Sequence, residues 1–119
     1  MHYKILFPSL YLGAHDLGGK DATLTIRKVV VEELRTERGS EKKPVLFFEE
    51  TKTKAEKAGT PEKRLVLNRT NAKSIAEIHG PEVNDWAGKQ ITLFATKVDA
   101  FGKSVDALRV RPDVVEVPA

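Results

Sequence analysis

The chain carries three histidines and no cysteine, so thiol catalysis, disulfides and zinc–thiolate sites are excluded at the outset. His15-Asp16 is the one histidine–carboxylate neighbour pair, but adjacent side chains on a strand point apart, and neither residue has a metal-ligand spacing to a third. His2 is terminal. His79 falls at the end of an apolar helical face, where a structural role is the simpler reading. Glu32-Glu33 and Glu49-Glu50 are paired only by adjacency and read as solvated strand ends. The glycine-rich stretch from Gly13 to Gly19 is followed by Lys20-Asp21 and lacks the G-x-x-x-x-G-K-[ST] pattern that cradles phosphates. No nucleophile–base set, cofactor motif or metal cluster emerges, and the chain is expected not to be an enzyme and to need no cofactor.

What remains is a pattern of cations beside aromatics. Single-stranded nucleic acid is held by a positive groove along its backbone and by aromatic faces on which bases stack. The candidate binding residues are Arg38, Lys42, Lys43, Phe48, Lys52, Lys54, Arg64, Phe94, Lys97, Phe101 and Lys103. Phe47 and Phe48 are neighbours on one strand, so one faces the core and the other faces out; a one-residue slip exchanges them. Phe94 lies on the less apolar side of its strand. Phe101 falls in a turn, where burying it is awkward.

The elements that must position these side chains centre on residues 65–80. Residues 65–67 are a short apolar run. From residue 70 onward Ala72, Ile75, Ala76 and His79 recur at helical spacing. Asn68, Thr70 and Asn71 are N-cap types, and Gly80-Pro81 is a stop. Five strands are expected at 22–34, 44–50, 63–67, 91–96 and 105–110. In the first, apolar parity shifts from even to odd near Arg27-Lys28, which a β-bulge would restore. Residues 36–43 and 97–103 read as hairpin loops. Residues 51–62 are charged and lack apolar periodicity, and read as a mobile loop carrying Lys52 and Lys54. Trp86, ahead of Gly88-Lys89, reads as an anchor between the helix and the fourth strand.

The order is β-β-β-α-β-β with a single helix. It predicts a mostly β domain, an OB-fold-like five-stranded Greek-key barrel over residues 1–119. Residues 1–21 would form an N-terminal extension and residues 113–119 a short tail. At 119 residues, 40% apolar and 31% charged, the composition is that of one ordinary globular domain. No apolar run approaches a membrane span, and residues 1–8 lack a signal cleavage site, so no membrane partner is expected. Net charge is +3, a mild basic bias compatible with a polyanion.

Leu65-Val66-Leu67-Asn68 with Thr70-Asn71, Ile75 and Gly80 forms one block of a larger pattern. Trp86, Gly88-Lys89, Ile91 and Leu93 form the next, and Leu108-Arg109-Val110-Arg111-Pro112 the last, with Leu12, Ala14 and Asp16-Leu17 ahead of them. Together they resemble a family of small bacteriophage and prophage proteins similar to the OB-fold single-stranded-DNA-binding proteins of replication and recombination. The resemblance implies a sequence-tolerant, non-enzymatic binder of single-stranded DNA in the bacterial host cytoplasm. It also implies phage or host replication and recombination proteins as partners, with a homodimer as a further option. Residues 113–119 depart from the long acidic tail that many such binders use for recruitment. The alternatives are a phage protein-interaction or structural module on the same fold, and an RNA-binding OB domain.

Overall fold

The structure, a computed structural model, describes residues 10–37 and 39–112. Among these, five strands form one antiparallel sheet and two α-helices pack beside it. β1 is Ala22–Thr36, β2 Gly39–Phe48, β3 Leu65–Val66, β4 Gln90–Ala100 and β5 Lys103–Val110. α1 is Glu49–Ala58 and α2 is Arg69–His79. The order across the sheet is β3-β2-β1-β4-β5. The sheet is open, with β3 and β5 at its two edges. The observed chain order is therefore β-β-α-β-α-β-β, with one helix more than the sequence led us to expect.

β1 is long because it serves two ladders. Ala22 to Thr25 pair with β4, and Ile26 to Thr36 pair with β2. The register slips between Ile26 and Lys28, where the parity shift called for a bulge. At that bend the Ile26 amide donates to the Lys89 carbonyl at 2.8 Å, and the Gly88 amide donates to the Ile26 carbonyl at 2.7 Å. The strand thus changes partner without orphaning its backbone groups.

The core lies on one face of the sheet. Ile26, Leu46, Phe48, Leu65, Ile91, Leu93, Leu108 and Val110 meet Ile75 of α2 and Trp86 there. α2 starts at Asn68, whose Oδ1 accepts from the Asn71 amide at 2.8 Å. Trp86 is 2% exposed, and its Nε1 donates to the Gly80 carbonyl at 2.9 Å. Ala72 and Ala76 pack against the same cluster, so the tryptophan is the expected anchor between helix and sheet. Asn71 is buried, and its Nδ2 donates to the Leu108 carbonyl at 3.1 Å, which ties α2 to the edge of β5.

Three segments differ from the sequence reading. Residues 51–62 are not a loop: most of them belong to α1, which ends at Gly59 with φ +69. Residues 36–43 are mostly strand, because the β1–β2 ladder continues to the pair Thr36 and Gly39. Residues 97–103 likewise form the end of β4 and the start of β5, around the turn Phe101-Gly102. Among the described residues no helix is long and apolar enough to cross a membrane.

Candidate nucleic-acid interface

The two faces of β2 decide which phenylalanine is available. Phe48 and Leu46 point into the core, and Phe48 is completely buried. Phe48 therefore cannot be the stacking residue. Phe47 and Val45 lie on the opposite face, outside the core cluster. Phe47 is the member on the face away from the core cluster, a register the bulge at Arg27 fixes, and it too is buried.

Phe47 is not bare. Three cations lie against its ring: Arg64 at 4.6 Å from the centroid, Lys28 at 4.7 Å and Arg27 at 5.5 Å. Each is positioned by backbone structure. Lys28 is the cross-strand partner of Phe47. Arg27 is the residue the bulge leaves unpaired, and its side chain comes round beside that of Lys28. Arg64 immediately precedes β3 in the register that pairs Leu65 with Leu46. Its backbone is held by Leu10 and Leu12: its amide donates to Leu10 at 2.9 Å, and its carbonyl accepts from Leu12 at 2.8 Å. Cations over an aromatic face are attracted by the ring quadrupole, more strongly where water is excluded. The ring itself is 5% exposed.

Two carboxylates hold the guanidinium groups. Arg27 donates to Glu62 at 2.6 Å, and Arg64 donates to Glu32 at 3.0 and 3.4 Å. Lys43 faces Glu32 across the β1–β2 ladder and lies 3.5 Å from Glu41. This face of β1, β2 and β3 therefore brings together Arg27, Lys28, Lys43, Phe47 and Arg64. Of these, sequence reasoning had named Lys43 and Arg64 as candidates. Arg27 and Lys28 lay outside that candidate set, although the parity break at those residues marked where a side chain would be re-aimed.

The other candidates lie elsewhere. Phe94, on β4, lies under the Arg111 guanidinium at 3.8 Å, and Asp21 grips Arg111 through Nε and Nη2 at 2.9 and 3.1 Å. Lys97, on β4, pairs with Asp106 of β5 at 3.0 Å. Phe101 is fully exposed at the tip of the β4–β5 hairpin, and Lys103 follows it. Lys52 and Lys54 stand on α1. Lys42 is on β2, opposite Glu33 and on the other face from Lys43. Arg38 lies outside the described residues.

His79, Asp16 and Glu50 each make contacts that tie segments of the fold together. His79 Nε2 donates to the Gln90 carbonyl at 2.7 Å and pins the end of α2 to β4. The Asp16 carboxylate accepts from Lys63 at 2.5 Å and from the Gly13 amide at 2.7 Å. Burial pushes the Asp16 carboxyl up, but the bonds from Lys63 and Gly13 outweigh it and hold the group below its ordinary value. Glu50 is engaged by the Thr25 amide and hydroxyl, at 2.7 and 2.8 Å. Among the described residues no group of three or more metal-ligating side chains comes together.

The site is thus a mixed-charge surface built around a covered aromatic ring. Comparisons with protein-family models, curated proteins and solved structures find no match for this chain.

Proposed function

We propose that this chain is a sequence-tolerant single-stranded-DNA-binding module on an OB-like barrel, of phage origin and acting in replication or recombination in a bacterial cytoplasm. The observation that carries the reading is Phe47, an aromatic on the non-core face of the central strands beneath Arg27, Lys28 and Arg64. A cluster of cations suited to phosphates is one part of a sequence-tolerant single-strand site, and Phe47, itself covered, is the platform that gathers those cations. The strand neighbours support the OB-like part. β1 pairs with both β2 and β4, α2 sits between β3 and β4, and in OB-folds the face of β2 and β3 carries the ligand. On this reading the sheet would close by bringing β3 to β5, its two edges, and α1 would be an insertion between β2 and β3.

A labelled oligothymidylate titrated at two salt concentrations, beside a duplex of equal length, tests the reading. Single-strand binding that weakens steeply with salt is the expected result. No single-strand binding at low salt would refute it. An oligouridylate titration decides between DNA and RNA, since the 2′-OH is the distinguishing group. A second reading, a protein-interaction module, draws on exposed Phe101 and Val105 at the β4–β5 hairpin. Binding through that apolar tip would persist at high salt.

A further inference from the structure

The two arginine–carboxylate pairs around Phe47 are incompletely formed. Arg27 uses Nη2 alone toward Glu62, and Arg64 uses Nη1 alone toward Glu32. Among the described residues, Nε of Arg27, Nε of Arg64 and Oε2 of Glu62 are buried without a hydrogen-bond partner. A guanidinium normally meets a carboxylate as a fork, through two parallel bonds. This chain makes that fork elsewhere, between Arg111 and Asp21. So the half-made pairs belong to the Phe47 surface, where a strand would cross.

Buried donors left unmade are costly, and each has an obvious remedy in a further anionic oxygen. A phosphodiester offers two such oxygens to one guanidinium and can engage Nε together with a terminal nitrogen. A glutamate fixed on β1 or in the loop before β3 reaches only one. The two arginines flank β2 from its neighbouring strands, about two strand spacings or ~10 Å apart, with Phe47 between them. Lys28 adds a third cation to the same surface.

We propose that Glu62 and Glu32 stand in the places of two backbone phosphates, and that a bound strand displaces them from Arg27 and Arg64. This rests on the single-strand reading above and adds where two phosphates sit and what they compete with. The carboxylates then set the affinity: they keep the arginines ordered in the free protein and weaken binding by the cost of their release.

The test is the gain of binding in Glu62→Gln and Glu32→Gln, made separately and titrated with the same labelled oligothymidylate. Each removes one competing charge. Each is expected to bind about fivefold tighter at ~0.1 M salt, with a log–log salt slope steeper by about 0.7, the share of one single-strand phosphate. Glu33→Gln, on the other face of β1, makes the same charge change and should stay within about twofold of the parent. In the parent, the Arg27 and Arg64 Nε–H resonances should shift on adding oligothymidylate. This measurement needs no variant to fold. Three results would overturn the proposal while leaving the single-strand reading in place: a parent that binds but Gln variants that do not tighten, equal tightening in Glu33→Gln, or unmoved Nε–H resonances. A parent that binds no single strand would end both.

Discussion

Replacing Phe101 by Asn should move stability and binding in opposite directions. Phe101 and Gly102 form the two-residue turn between β4 and β5, closed by the pair Ala100 and Lys103. Their φ values are +52 and +76, both in the left-handed region. That region suits Asn followed by Gly, and costs an ordinary side chain about 1–2 kcal/mol. The Phe101 ring is fully exposed, so its removal forfeits no burial that would offset the strain. Phe101→Asn should therefore stabilise the fold by about 1 kcal/mol, a rise in melting temperature of roughly 4 °C for a domain of this size. If the ring stacks a base, the same change should cost about 2 kcal/mol of single-strand binding, or roughly thirtyfold in Kd. Thermal melts and fluorescence anisotropy on one preparation give both numbers. A variant that binds like the parent would remove Phe101 from the interface. A variant that melts lower would mean the ring makes a contact that outweighs its backbone strain.

Three further perturbations follow from the packing and charges. Trp86→Ala should lose about 3–5 kcal/mol of stability, since it empties a site shared by α2 and the sheet; parent tryptophan emission that is red-shifted and fully quenched by iodide would contradict this. Asp16 has its pKa lowered in the fold, so its stabilisation is whole above the ordinary value of 3.8 and is lost as pH falls through the lower folded value. Asp16→Asn should accordingly flatten the acid limb of a stability–pH curve below about pH 4, and an unchanged limb would mean the Lys63 pair contributes nothing. Lys43→Ala should weaken single-strand binding less than fivefold at ~0.1 M salt and shallow the salt slope by about 0.7, with an unchanged slope excluding a phosphate contact.

α2, the bulge and the Trp86 anchor were legible because each has a local signature. Asn68 and Gly80 punctuate the helix, and the parity of Leu24, Ile26 and Val29 breaks at the bulge. α1 was not legible as a periodic pattern, because Ala55 is its one buried residue among Glu, Thr and Lys. Its helix propensity, the acidic first turn and Gly59 as C-cap were the signals that could have found it. The outer ends of β2 and β5 read as loops because their residues are exposed on both faces, so no alternation is imposed on them, while the outer end of β4 keeps only a weak alternation in which Thr96, Val98 and Ala100 are half-buried. The choice between Phe47 and Phe48 needed the bulge register, which places Phe48 opposite Ile26 and Phe47 opposite Lys28. The cations on Phe47 come from three separate stretches of chain, and only the tertiary fold brings them together.

That β1 belongs to both ladders also shapes how the molecule assembles. β1–β2 and β4–β5 are antiparallel pairs of consecutive strands, contacts that close in microseconds. Joining them is another matter, because Thr23 meets Thr92 across 69 residues of chain. Closing a loop of that length costs about 4 kcal/mol of chain entropy before the core repays any of it. The slow event in folding is then the docking of the second hairpin onto the first four residues of β1, with α2 and Trp86 as the clasp. Because the same strand runs through both ladders, neither half has a core of its own, and the domain should unfold in a single transition.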